Sequence, residues 1–234
     1  MLRTFFLLAF FLAISTSLFA QRGMIGASIN TDFTYTSSYT LYNSDPNYSY
    51  VEKRLPAFSL GGGGCLGLYF GKRFFLLTGI ERSARAFVVN TKYTPNNNSN
   101  NNANSPFTDN IKQTFYSWEI PMLGNFMLTN RDNKVSFIIS GGFLGGAYSL
   151  ETYKEKYSSG NTVTTGLTAS PEKQMDTKLY LDGSLGIGCK INLDDRVSLF
   201  FIPNYRHTLT SMQEYGQTFK LNTITVRTML VYNF

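Results

Sequence analysis

From Leu179 to Leu193 the chain reads "LYLDGSLGIGCKINL", apolar at nearly every second position. Leu179, Leu181, Leu185, Ile187, Ile191 and Leu193 share one side; Lys178, Tyr180, Asp182, Ser184 and Lys190 share the other. A period of two belongs to a strand with two unlike faces. The pattern returns near the start, where Ile25, Ala27, Ile29, Phe33 and Tyr35 oppose Ser28, Asn30, Asp32 and Thr34. It returns again where Val197, Leu199, Phe201 and Tyr205 oppose Ser198, Asn204, Arg206 and Thr208. Such segments exceed the usual five or six residues of a globular strand. They reach the roughly nine to eleven residues that cross a bilayer as a tilted strand.

Eight segments of strand chemistry are present: 23–36, 56–70, 73–91, 112–129, 134–150, 177–193, 196–210 and 221–234. None keeps a helical period. The connections alternate in length. "FGKRF", "TNRDNK" and "LDDR" are tight polar turns, whereas 37–54, 92–111 and 151–175 are long and "SMQEYGQTFK" is intermediate. Alternation alone leaves a soluble sandwich open, because a buried core gives the same period. The even strand count, the strand lengths and the long–short order of connections select the transmembrane barrel. The expectation is an all-β fold, an eight-stranded antiparallel up-and-down transmembrane β-barrel.

Composition agrees with faces of opposite character. Charged residues are 15% of the chain, against about 25% in soluble proteins, and no run of about 18 apolar residues follows the N-terminal region. That region, "MLRTFFLLAFFLAISTSLFAQ", has a basic start at Arg3, an apolar stretch from Phe5 to Ile14 and small residues before Gln21. It reads as a signal peptide over 1–20, with cleavage after Ala20 or, second, after Ser17, and a barrel domain over 21–234. No Cys follows the cleavage site, so a lipid anchor is not indicated. The net charge of +6 is scattered along the chain, which excludes a nucleic-acid face. "GGGG" lies in a strand with no Lys-Ser/Thr after it, so it is no phosphate loop. The Asn-rich 96–104 is low complexity without readable chemistry.

The chain ends "LNTITVRTMLVYNF". In a closed barrel the last strand pairs with the first, since lipid cannot satisfy a free edge. Leu230, Tyr232 and Phe234 then form the outward face of the wall. They resemble the C-terminal signal read by the bacterial barrel-insertion machinery, a partner that export requires.

Strand parity sends Asp32, Glu81, Arg85, Glu119, Asp182, Lys190, Arg206 and Arg227 to the lumen. Buried charges need partners, so the reading is a salt-bridged plug with Arg85 or Arg206 serving Glu119. The competing reading makes Glu81 and Glu119 a catalytic carboxylate pair. His207 faces outward near the extracellular end of its strand, beside Thr208, Ser211 and Glu214, without the spacing of a nucleophile and its base. It reads as an interfacial residue, with lipid A deacylation as the alternative. No metal or cofactor site is apparent. Trp118, Tyr39, Tyr42, Tyr48 and Tyr50 contact a partner or glycan, or else the first loop packs its tyrosines over the barrel mouth. Cys65 falls on the inner face and Cys189 on the outer face of strands lying across the barrel. A disulfide needs Cα atoms within about 7 Å, so two free thiols are expected.

The segments "FYSWEIPMLGNFML", "RFFLLTGIERSARAF" and "DGSLGIGCKINLDDRVSLFFIPNYRHTLTSM" resemble recurring blocks of the PorT-like outer-membrane barrels of Bacteroidetes. The resemblance extends over essentially the whole mature chain. It implies an eight-stranded barrel in a Gram-negative outer membrane. Asn125 stands where the family implies a basic residue, and the inward Phe200 and Ile202 stand where it implies more polar ones. The expected role is structural or interactive, through long extracellular loops, in contact with outer-membrane lipid and lipopolysaccharide and with an extracellular or envelope protein. A lipid-modifying enzyme and a narrow solute channel are the alternatives.

Overall fold

The computed structural model describes residues 23–36, 41–44, 48–95, 107–157, 162–163, 179–214 and 217–234. The signal-peptide region, Tyr39 and the Asn-rich 96–104 lie outside the described residues, as do the side chains of Tyr42, Tyr48 and Tyr50.

Eight strands form the wall: β1 (Gly23–Thr36), β2 (Tyr48–Phe70), β3 (Phe74–Pro95), β4 (Phe107–Met127), β5 (Val135–Tyr157), β6 (Leu179–Asn192), β7 (Val197–Thr208) and β8 (Leu221–Asn233). Each pairs antiparallel with its sequence neighbour. The ring closes between β1 and β8 in a ladder from Met24–Asn233 to Thr36–Leu221. Gly23 and Phe234 exchange backbone hydrogen bonds of 3.1 and 3.0 Å, which extends the seam to the end of the wall. The fold is therefore a closed up-and-down barrel with no free edge along the seam.

The turn after β2 is tight because Gly71 takes φ of +73°, a conformation that strains residues bearing a Cβ. Outside the barrel runs a belt that includes Ile25, Ile29, Leu60, Leu76, Ile80, Met122, Phe137, Leu185, Ile187, Ile224 and Leu230. Large apolar side chains facing outward around the whole ring mark a wall whose solvent is lipid. Leu230, Tyr232 and Phe234 belong to this outward face. Trp118 does too, at 54% exposure, so its indole sits on the wall and not over the mouth.

Two expectations need correction. The long connections are shorter than the sequence suggests, because parts of 37–54, 92–111 and 151–175 are strand. Polar residues such as those of "YSYVEKR" pair as strands once they leave the apolar belt, where parity contrast no longer marks them. The intermediate connection also contains a small hairpin, Met212–Glu214 with Gln217–Phe219.

The second correction concerns the lumen, which is layered and not uniformly polar. At the end bearing the tight turns, Met24, Phe75, Leu77, Leu123, Met127, Ile138, Phe200, Ile202, Met229 and Val231 pack with Tyr69 and Cys65 into an apolar floor. Phe200 and Ile202 are the inward apolar pair already marked in the sequence, and segments apolar on both faces, such as "RFFLL", supply others of this set. Cys65 is buried in the floor, Cys189 is partly exposed on the wall, and both are free.

We expect unheated protein to migrate faster than boiled protein in detergent gels, with a circular dichroism spectrum dominated by β-structure. A helical spectrum would overturn the fold. Trp118 is the only tryptophan, so brominated acyl chains should quench the protein's tryptophan emission in vesicles. Quenching by a water-soluble agent alone would place Trp118 off the wall.

Candidate functional site

Above the apolar floor, six strands send ionisable side chains to one level of the lumen. β1 gives Asp32, β3 gives Glu81 and Arg85, β4 gives Glu119, β6 gives Asp182, β7 gives Arg206 and β8 gives Arg227. All seven are at most 2% exposed. Three arginines thus meet four carboxyl groups in a compartment without bulk water, where each ion needs both a counter-charge and hydrogen bonds.

The largest cluster joins β3, β4, β6 and β7. Arg206 Nη2 donates to both oxygens of Glu119 at 2.8 Å and to Asp182 Oδ2 at 2.9 Å. Arg85 Nη2 donates to Glu119 Oε1 at 2.8 Å and also pairs with Asp182. Glu119 thereby takes both of the arginines that sequence parity offered as alternatives. Arg85 Nη1 reaches Thr208 Oγ1 at 3.3 Å, and its guanidinium lies 4.7 Å from the Tyr180 ring centre. The Tyr180 hydroxyl donates to Glu119, and Ser117 Oγ lies 2.8 Å from that hydroxyl.

Room for Tyr180 comes from β5. A Cβ at Gly146 would lie 2.4 Å from the phenol. The glycine in "SGGFLGGAY" therefore serves the network through the absence of a side chain.

A second cluster binds Glu81. Arg227 Nη2 donates to its Oε2 at 2.9 Å, Asn30 Nδ2 to the same oxygen at 2.8 Å, and Ser28 Oγ to Oε1 at 3.0 Å. Asp32 is held by hydroxyls, Thr225 Oγ1 at 2.6 Å and Ser83 Oγ at 3.3 Å. Glu81 and Glu119 are direct cross-strand partners. Each turns to a different guanidinium, which offsets the repulsion such neighbours would otherwise feel.

Lys190 is not part of this network. It occupies the last inward position but one of β6, so it lies at the mouth beside the turns. Its Nζ donates to the Arg131 carbonyl at 3.0 Å and sits 5.4 Å from the Tyr69 ring. Parity fixed its face correctly but not its depth. A pocket of about 480 Å³ opens at this mouth, lined by Lys190, Arg131, Asp132, Asp194 and Asn233 among others.

Above the network, Phe87, Val89, Phe115 and Leu221 form a second apolar layer with Ile111 and Tyr148. Charge is therefore held between two apolar layers. Sequence parity placed the ions on the inner face, and with them Ser28, Asn30, Tyr180 and Thr208, but it did not assign these four, or Ser83, Ser117 and Thr225, as the remaining donors. Their shared inward parity with the ions was the available signal.

His207 faces outward, and its Nδ1 lies 2.7 Å from Asn222 Oδ1, which also accepts the Tyr205 hydroxyl at 2.9 Å. Thr208 points inward to Arg85. Among the described residues no group of three or more His, Cys, Asp and Glu is arranged to hold a metal.

Replacing Glu119 by Gln removes the charge that both Arg85 and Arg206 face. Breaking a buried pair from one side costs about 3–5 kcal/mol, and we expect a loss of this size in urea unfolding from vesicles. Arg227→Met should also destabilise the barrel, and the double variant Glu81→Gln/Arg227→Met should lose less than the two single losses combined. Strict additivity would show that Glu81 and Arg227 are not coupled.

No protein-family model matches the chain, and no curated protein matches it in sequence. Solved structures similar to it include Ail, the attachment invasion locus protein of Yersinia pestis, at 11% identity and a TM-score of 0.44 over 92% of this chain and 99% of that one. The outer membrane protein OprG from Pseudomonas aeruginosa matches at 11% identity and 0.41, over 92% and 96%. Neisserial surface protein A matches at 10% identity and 0.40, over 91% and 97%. The barrel assignment itself rests on the closed ring, the polar core and the outward apolar belt: this chain is an eight-stranded barrel of the outer-membrane type.

Proposed function

We propose that the chain is a sealed barrel of a Gram-negative outer membrane, serving a structural and interaction role through a sheet raised above the membrane. The observation that carries this reading is the inequality of the strands. β2, β3, β4 and β5 run for 23, 22, 21 and 23 residues. Among the described residues, β1, β6, β7 and β8 run for 14, 14, 12 and 13. All the excess lies at the end opposite the tight turns, so four neighbouring strands continue past the ring as an open sheet. Its two outer edges are partly paired, by Leu41–Ser44 on β2 and by Thr162–Val163 on β5. Extended backbone held clear of the membrane suits recognition of an extracellular or envelope protein. The resemblance of the strand blocks to PorT-like barrels supports the same reading, without transferring any one member's pathway.

A channel is disfavoured by the lumen, which the floor, the charged clusters and the upper apolar layer fill in succession. An enzyme is disfavoured by the same packing. Glu81 and Glu119 are saturated by donors and have no exposed surface, and His207 is oriented by Asn222 with no nucleophile contacting it among the described residues.

Reconstituted protein should show no unitary currents in planar bilayers; reproducible current steps would overturn the sealed lumen. In a protein lacking Cys65 and Cys189, Lys92→Cys should react with an impermeant maleimide on intact cells and Asp194→Cys should not. The reverse pattern would invert the barrel and remove the raised sheet from the cell surface. A photo-crosslinker on Lys92→Cys should capture a partner in living cells that one on Asp194→Cys does not, and equal capture would remove the interaction role.

A further inference from the structure

The barrel wall is interrupted at one place on its outer face. β2 and β3 pair up to Gly62–Arg82 and resume at Pro56–Phe87, leaving 57–61 out of register. A notch lined by Leu60, Gly61, Gly62, Arg82, Ala84 and Tyr116 opens there. Arg82 is exposed on the outer face, with its guanidinium 5.2 Å from the Tyr116 ring centre. At the other side of the gap Lys112 Nζ donates to the Phe58 carbonyl at 3.1 Å. Lys112 belongs to β4, so its aliphatic stem must cross β3 to reach β2. It crosses where outward parity places only Ala84 and Ala86, both buried although they belong to the outer face.

Depth matters here. From Phe74 upward the outward positions of β3 are Phe74, Leu76, Thr78 and Ile80, and Arg82 follows them. Eight residues of a strand tilted by about 40° climb roughly 20 Å, and an outer-membrane apolar belt is about 25 Å tall. Arg82 therefore lies in the upper part of the belt, about 5 Å short of its edge, a distance over which a guanidinium can reach up to headgroup level. Among the described residues neither Arg82 nor Lys112 has a carboxylate within ion-pair distance. Further up, Lys53 and Lys92 are also exposed on the outer face. The acids of the raised sheet whose side chains are described include Glu52 and Asp109, which share the inward rung of Thr91. Arg54 shares that inward face and pairs with Glu52 at 3.7 Å, so among the described residues the outer face there carries Lys53 and Lys92 without a carboxylate beside them.

We propose that the notch and the cationic face above it bind the phosphate groups of membrane lipid headgroups, with Arg82 and Lys112 as the principal contacts. A guanidinium at the edge of hydrocarbon needs an anionic partner that is itself anchored at that depth, and a lipid phosphate meets both conditions. Tyr116 and Trp118 flank the cation as interfacial aromatics, and Trp118 is the direct cross-strand partner of Arg82. The inference rests on the membrane reading of the belt but goes beyond it, by naming a headgroup chemistry and its residues.

The chain carries its own reporter, because Trp118 adjoins the site. Protein in phosphatidylcholine vesicles is titrated with diphosphoryl lipid A or with lipid A stripped of phosphate, following Trp118 emission, with retained lipid counted by native mass spectrometry. Diphosphoryl lipid A should bind wild type about 30-fold more tightly than it binds Arg82→Gln/Lys112→Gln, the combined effect of two cations at a membrane surface. Arg82→Lys/Lys112→Arg should retain most of the affinity, and dephosphorylated lipid A should bind wild type and double variant alike. Equal binding of both lipids to wild type would overturn the proposal without any variant, so a misfolded variant leaves it testable. Complete displacement of lipid A by inorganic phosphate would also overturn it, by showing a site for free anions. Quenching of Trp118 by brominated lipid separates the two levels of failure. Quenching without phosphate discrimination removes only this inference, whereas absence of quenching removes the membrane reading beneath it.

Discussion

Hydrocarbon offers no hydrogen-bond partners, and every other feature of this molecule follows from that constraint. A strand edge left open inside a bilayer costs several kcal/mol for each unmet group. The seam between β1 and β8 leaves none open along its length, down to the Gly23–Phe234 exchange. Once the ring is closed, side chains must divide into those that meet lipid and those that meet one another. The barrel is narrow enough for the second group to fill it, as expected for eight strands.

How it is filled sets what it can do. A lumen of polar side chains alone would admit water and screen its charges. Here an apolar floor and an apolar upper layer bound the charged level, so the ions are solvated by one another, by hydroxyls and by Tyr180. Buried ion pairs of this kind seldom add net stability over apolar packing. What they add is geometric demand, since Glu119 must face Arg85 and Arg206 at once while Glu81 must face Arg227. The raised sheet of β2–β5 carries no such internal constraint on its outer face, where Lys53 and Lys92 stand exposed.

The sequence made the wall legible because a membrane enforces period two more strictly than a soluble core does. The eight strands, their order and the facing of the seven networked ions all followed from alternation. Depth did not follow, because parity records which side a residue faces and not how far along the axis it lies. Lys190 shared the parity of the ions yet belongs to the mouth. The floor was legible only in part: parity places Phe200 and Ile202 inward but does not mark Phe75, Leu77, Leu123 and Met127, because both faces of their strands are apolar there. The upper reaches of β2–β5 were read as loop because strands above the belt lose their apolar face, and Gly146 could not announce that its missing side chain makes room for Tyr180.

The charged clusters also act as a proofreading device for assembly. Their members come from six of the eight strands, and Asp32 and Thr225, which meet at 2.6 Å, lie 193 residues apart. Asp182–Arg206 and Arg85–Glu119 can pair within single hairpins. Glu81 and Asp32 find their partners only when β1 and β8 join β3, so a partly wound barrel keeps unmatched charge facing inward. A strand that slipped by two residues would keep its apolar face toward lipid and pass every test the membrane imposes. Such a slip would carry Arg206 to the place of Asn204 or Thr208, away from both of its carboxylates. The hydrocarbon outside verifies the face of each strand, while the ions inside verify its register.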